Sequence, residues 1–202
     1  MKANTISIEA EGIKIKGTSE RMVQLLMAGM LAQALPPAAN VQAVASGPIP
    51  ALGEYWPGQG GFNGGLVAAR GDVPAHYLII AKDDLGKHEW GGRGKESEAT
   101  SKTDGLANTQ ALYADDRDDH PAADACAEHQ ADGHDDFYLP ACGELYHCWL
   151  NVPELFAKDT WYWSSSQRSA YVAFYMSFAG GYQGYGDKGH ELRGRPVRRF
   201  FI

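Results

Sequence analysis

The chain has 202 residues and a formal net charge of −7. This length suits one domain of ordinary size plus an appendage, and it buries a sizeable core without disulfide staples. The negative balance excludes a general attraction to nucleic acid or to an anionic membrane, and no apolar run approaches the roughly 18 residues of a membrane span.

The three cysteines, Cys126, Cys142 and Cys148, are odd in number and lack framework spacing, so they read as buried free thiols. The N-terminus has one lysine and then alternates, so no signal peptide is expected and the product is made in the cytoplasm. There are 24 glycines, 10 tyrosines, 7 phenylalanines and 5 tryptophans. That mixture predicts many turns and close-packed short strands.

In chain order, Ile6 and Ile8, then Ile13 and Ile15, alternate with polar residues around Gly12 and predict two short strands. Thr18 or Ser19 offers an N-cap for a helix over residues 22–35, with Met22, Leu25, Leu26, Met30 and Leu31 at helical spacing. This helix is apolar on more than one face and wants a partner. A proline-rich linker over residues 36–50 follows, and the domain boundary is placed there, giving segments 1–46 and 47–202. Residues 64–70 and 76–81 read as a hairpin turned at 71–74. Helices are expected from Thr103 or Asp104 to about Ala114, from Pro121 to about His129, and from Pro140 to Pro153. The third has an apolar stripe of Leu145, Cys148, Trp149 and Val152. Strands are expected at 161–165, 171–178, 182–185 and 192–201, with Gly180-Gly181 as a turn. The order alone gives an α+β class.

Three ordered motifs add to this. Tyr138-Leu139-Pro140-Ala141-Cys142-Gly143-Glu144-Leu145 resembles the "RLPTxxEL" helix start of a prokaryotic and phage domain family of uncharacterised function. Trp161-Tyr162-Trp163-Ser164-Ser165-Ser166 is similar to that family's "YWSST" strand. Arg193-Gly194-Arg195-Pro196-Val197-Arg198-Arg199 is similar to its closing "xxRxVR" strand. The family has the C-type-lectin-like fold and also occurs at the C-terminus of the Legionella collagen-like adhesin. The resemblance covers residues 53–202. It implies a C-type-lectin-like domain carrying a short N-terminal hairpin-and-helix appendage for attachment or oligomerisation. Ala141 departs from the family's Ser or Thr, which leaves only the Glu144 half of a capping box and predicts a helix weaker by about 1 kcal/mol.

If Val172, Phe174, Met176 and Phe178 face the core, Tyr171, Ala173, Tyr175 and Ser177 face outward. Gln167, Arg168 and Ser169 precede them, and Tyr182, Gln183, Tyr185, Asp187 and His190 follow in glycine-separated loops. Tyrosine, serine and glycine with scattered polar groups is the composition of adaptable binding surfaces. In related phage lectin-like variable proteins this region carries the receptor contact, so the resemblance implies ligand binding by these eleven polar and aromatic residues. Asp115, Asp116, Asp118, Asp119, His120, His129, His134, Asp135 and Asp136 offer oxygen and imidazole ligands. They lack EF-hand or HExxH spacing and read as a solvated charged loop, with no metal expected. The arginines of the last strand read as buried groups hydrogen-bonded to carbonyls or a carboxylate.

No catalytic constellation is legible. Formylglycine-generating enzymes share the lectin-like fold but need a cysteine pair near the C-terminus, and this chain has none after Cys148. Ser164–Ser166 lacks a nucleophile elbow, and His147 and Cys148 point apart on a helix. The expectation is a non-enzymatic, cofactor-free phage or prophage virion protein, tail- or fibre-associated. It would bind a host surface protein or glycan and form homo-oligomers through residues 1–46. Two other readings are a decoration or baseplate-assembly protein that binds another virion protein, and a ligand-binding protein diversified by a retroelement.

Overall fold

A computed structural model describes residues 5–10, 13–18, 49–71, 73–115 and 119–202, the first two segments and Asp115 as backbone alone. The chain divides into two compact units, Met1–Gly47 and Pro48–Ile202. In the first, β1 (Thr5–Ala10) and β2 (Ile13–Thr18) pair antiparallel with Ile8 opposite Ile15. Thr18 ends β2. The helix expected over residues 22–35 and nearly all of the linker lie outside the described residues.

The second unit is mixed α+β. It runs β3 (Tyr55–Trp56), β4 (Gly61–Val67), β5 (His76–Ala81) and β6 (Lys87–Glu89), then α1 (Gly105–Asp115), α2 (Pro121–Ala127) and α3 (Cys142–Asn151). A 3-10 turn at Pro153–Leu155 leads to β7 (Trp161–Gln167), β8 (Val172–Ser177), β9 (Gln183–Asp187), β10 (Glu191–Arg193) and β11 (Val197–Phe201). One sheet has the order β11-β5-β4-β3 and the other β6-β10-β7-β8-β9.

The single closing strand expected over residues 192–201 is two strands in two sheets. β10 lies between β6 and β7, whereas β11 pairs antiparallel with β5. The break falls at Gly194-Arg195-Pro196. Pro196 has no N–H for a ladder, and the Arg195 side chain turns inward, bonding the Ala81 carbonyl (2.9 Å), the Lys82 carbonyl (3.0 Å) and Asp84 (2.8 Å). Arg198 pairs with Asp136 at 2.6 Å, and Arg199 reaches Asp104 at 2.8 Å. The basic end of the chain is therefore built into the fold, as its pattern predicted.

Helix starts follow the sequence with one compensation. Asp104 Oδ1 accepts the Ala107 N–H at 3.0 Å and caps α1. At α3, Ala141 has no side-chain acceptor, but Glu144 accepts the Ala141 N–H at 2.8 Å. The next two amides find tertiary partners: Cys142 N–H meets Ser166 Oγ (3.1 Å) and Gly143 N–H meets the Lys102 carbonyl (2.7 Å). The missing Ser or Thr is thus replaced from outside the helix, and the expected weakness is offset.

Two apolar cores share β7 and β8. Tyr162 and Met176 join Leu78, Ile80, Leu145, Cys148, Phe178 and Val197 between the two sheets and α3. Trp163 and Ala173 join Trp90, Leu112, Ala122, Cys126 and Leu139 against α1 and α2. Each large side chain buried in this way contributes roughly 1.5–3 kcal/mol. All three cysteines are free and buried, as expected.

Candidate ligand-binding face

Both faces of β7 and β8 are covered in mid-strand, so the simple inside–outside division of β8 does not hold. Ala173, expected to face out, is fully buried, while Phe174, expected to face in, is only half-buried. In the β8–β9 register Phe174 stands opposite Tyr185 and Tyr175 opposite Gly184. Cross-strand partners share a face, so Tyr175 and Tyr185 lie on opposite sides of the sheet.

On Tyr175's side, three rings form an exposed cluster. Trp161 meets Tyr175 edge-on at 4.8 Å and Tyr182 at 5.7 Å. Trp161 is 38% and Tyr182 60% exposed. The Tyr175 ring lies across β9, where a Cβ at Gly184 or Gly186 would come within 2.9 Å of it. The two glycines therefore let Tyr175 lie flat and set the level of the cluster. His190 borders the same side, near Gly186. Burial, then the neighbouring Tyr182 and Tyr185, holds the Tyr175 phenol above its ordinary range, so it stays a neutral donor.

The opposite side is cationic and aromatic. Arg168 Cζ sits 3.8 Å over the Tyr185 ring, and Lys102 Nζ 3.8 Å over the Phe174 ring. Gln183 Nε2 donates to the Cys142 carbonyl at 2.7 Å and ties β9 to the start of α3. At the margin, Arg93 pairs with Asp187 at 2.9 Å and lies 5.5 Å from the Tyr171 ring. Asp187 also accepts the Gly189 N–H at 2.9 Å, and Ser169 Oγ accepts the Tyr171 N–H at 3.3 Å. These two residues shape turns.

Two of the eleven expected residues point inward. Gln167 is 3% exposed. Its Oε1 accepts from the Ser97 N–H and hydroxyl (both 3.1 Å) and from Lys188 Nζ (2.7 Å), and its Nε2 donates to Glu96 at 2.6 Å. Ser177 is also buried, and its N–H donates to the Tyr182 carbonyl at 2.9 Å. The exposed set is Arg168, Tyr171, Tyr182, Gln183, Tyr185 and His190 with half-buried Ser169, Tyr175 and Asp187, joined by Trp161, Phe174 and Lys102, which sequence reasoning missed. Their placement depends on pairing register, and the sequence gives no direct signal of it.

Lys188 was also missed. It is fully buried, and Nζ donates to the Lys95 carbonyl (2.9 Å), the Gly92 carbonyl (3.4 Å) and Gln167 Oε1 while lying 4.5 Å over the Trp90 ring. Burial lowers this amine from 10.5 to about 8. One ammonium thus clamps the 92–97 loop to the start of the exposed hairpin.

The acidic–histidine segment is not simply a solvated loop. His120 is buried with its ring edge-on to Trp90 at 5.2 Å. Asp119 pairs with Lys95 at 2.8 Å, His134 bonds the Gly58 carbonyl at 2.9 Å, and Asp136 holds Arg198. Nearby Asp132 accepts from the Tyr55 hydroxyl (2.9 Å), Gly58 N–H (3.0 Å) and Gly60 N–H (3.1 Å). The segment anchors the glycine-rich lead-in. Asp116 and Asp118 lie outside the described residues. Among the described residues no His, Cys, Asp and Glu group is arranged to hold a metal ion, and no helix is long and apolar enough to cross a membrane.

No family model matches the chain, and none of the curated proteins matches it.

Proposed function

We propose that the Pro48–Ile202 unit is a C-type-lectin-like ligand-binding domain of a phage or prophage tail- or fibre-associated protein. It presents the Trp161, Tyr175 and Tyr182 cluster to a host surface protein or glycan, and residues 1–46 mount or oligomerise it. The observation that carries the binding reading is the three-ring cluster itself, apolar area brought to the surface by β7, β8 and the turn before β9. Exposed aromatic rings of this kind supply contact area at low entropy cost and are enriched among binding hot spots. The lectin-like reading is supported by the last strand pairing with β5 near the start of the unit, with the three helices following β6 and preceding β7 in the chain. The virion setting rests on the three motif resemblances alone.

The test is host adsorption by particles or purified chain carrying single substitutions. Trp161→Ala and Tyr182→Ala each reduce adsorption about tenfold or more, the scale of one hot-spot ring. Tyr185→Ala, on the other side of the sheet, leaves it within about twofold. Normal adsorption by the Trp161→Ala/Tyr182→Ala double variant would refute the assignment of this face.

A further inference from the structure

Among the described residues of the Pro48–Ile202 unit, β3, β6, β9 and β11 stand at sheet edges. Three of these are short or closed. β3 has two residues and β6 has three, Lys87-His88-Glu89. β11 bonds outward from its first residue, since Val197 exchanges both main-chain bonds with Tyr138 (2.8 and 3.0 Å). β9 is different. Gln183-Gly184-Tyr185-Gly186-Asp187 pairs with β8 along its whole length without a register shift. It holds no proline, lysine or bulge, the features that usually protect an edge.

Hydrogen-bonded pairs alternate along an antiparallel ladder. Ser177 N–H donates to the Tyr182 carbonyl (2.9 Å) and Lys188 N–H to the Tyr171 carbonyl (3.0 Å). In the β8–β9 register the bonds to β8 therefore come from residues 182, 184, 186 and 188. The N–H and C=O groups of Gln183 and Tyr185 point away from the sheet, and both residues are exposed. The Asp187 carbonyl accepts the His190 N–H at 3.0 Å, which closes that end. Gln183 and Tyr185 thus offer donors and acceptors at the spacing of a further ladder.

The two sides of this edge differ in chemistry. Trp161, Tyr175 and Tyr182 flank it on one side. On the other, Arg168 lies over the Tyr185 ring and Lys102 over the Phe174 ring. Both cations are exposed, and neither makes an ion pair among the described residues. The Asp187 carboxylate close by is matched to Arg93. Side chains alternate between faces along a strand, so a strand laid on this edge would meet rings and cations in turn.

We propose that β9 takes an extended protein segment as an added strand, its acidic side chains on the Arg168 side alternating with apolar ones on the Trp161 side. The inference rests on the reading of this hairpin as the ligand-binding edge, and it narrows the ligand to a protein. A glycan has no regular row of amides and carbonyls to meet the open groups of Gln183 and Tyr185. A second copy of β9 fits poorly, because two-fold pairing sets like faces together and the Arg168 side chains of both copies meet across the seam. Tyr185 serves through its main chain, so truncating its ring changes little.

The probe is a capped peptide of about seven residues, alternating valine and glutamate, titrated into the isotope-labelled 202-residue chain. Amide hydrogen exchange at Gln183 and Tyr185 slows about tenfold or more at saturation, while Gly184 and Gly186, already bonded to β8, change little. The peptide amides are N-methylated in two alternate sets. Methylating the set that points at β9 weakens binding about tenfold or more, and methylating the other changes it within about twofold. A lysine-for-glutamate peptide binds about tenfold more weakly, and Arg168→Glu brings the two peptides within about twofold of each other. Equal effects of the two methylated sets, or equal binding of the two peptides to the wild-type chain, would overturn the proposal. So would failure of the glutamate peptide to bind at about 1 mM. Shifts at Trp161 and Tyr182 with unchanged exchange at Gln183 and Tyr185 would refute strand addition and leave the ring face standing.

Discussion

Glu144→Ala removes the group on which three elements converge. The carboxylate accepts the Ala141 N–H (2.8 Å) at the start of α3, the Gly105 N–H (3.1 Å) at the start of α1, the Tyr138 hydroxyl (2.8 Å) and Arg199 of β11 (3.3 Å). It is 3% exposed, so solvent does not replace it. Each buried donor left unmet costs about 1–3 kcal/mol, and truncating one partner of a buried ion pair costs about 3–5 kcal/mol. These terms share atoms and do not add. Arg199 also keeps Asp104 at 2.8 Å, which limits the loss. The expected destabilisation is about 4–6 kcal/mol, a large part of a typical domain's stability of about 5–15 kcal/mol. Glu144→Gln keeps the shape and one acceptor oxygen and should lose about half as much. Urea unfolding followed by tryptophan fluorescence measures both. On heating, the Ala variant melts about 10–20 °C lower, at about 2–4 °C per kcal/mol for a domain of this size. A loss below about 1 kcal/mol for Glu144→Ala would show that the convergence is geometric and not energetic.

Gly91 has φ +82°, and a Cβ there would run into the Asp119 carbonyl, so Gly91→Ala should cost about 3 kcal/mol or more, combining strain with a backbone clash. Gly71, at φ +58° in open space, is the control, and Gly71→Asn should cost about 1 kcal/mol or less in the same unfolding assay. Lys188 is lowered from 10.5 to about 8 by burial, so between those pH values the unfolded chain holds a proton that the folded chain has released. Stability therefore rises with pH across this window, and the difference between wild type and Lys188→Met should rise with it; a flat difference would refute the clamp's charge state. Burial also raises the Cys126 and Cys148 thiols, so neither should react with a thiol reagent until urea unfolds the chain. Light scattering on residues 1–202 against 47–202 tests the mounting role of the first segment, which predicts loss of oligomers on truncation.

Local signals carried much of the fold. The bounds of β5 follow from a short apolar run between turn residues, and α3 follows from the proline pair and its stripe. The closing strand was misread because the arginine alternation runs through Gly194-Arg195-Pro196, where the backbone changes sheet. The site was half legible. Residue types pointed to the hairpin, but the face of each tyrosine depends on the β8–β9 register and on a second core behind Trp163 and Ala173, both set by long-range packing. Gln167 and Lys188 illustrate the limit. Polar residues in a glycine-rich tail look solvated until the 92–97 loop is folded over them.

The flat contact of Tyr175 with Gly184 and Gly186 has an evolutionary corollary. β9 is the last strand of its sheet, and its level is set by a ring from β8 resting on two positions without side chains. Replacing Tyr182 or Tyr185 therefore disturbs little of the interior, and exposed substitutions of that kind usually change stability by no more than about 0.5 kcal/mol. Selection can rewrite the chemistry of this edge while the scaffold stays intact, so long as the two glycines and Tyr175 persist. Descendants of this chain should diverge fastest at 182 and 185 and slowest at 175, 184 and 186.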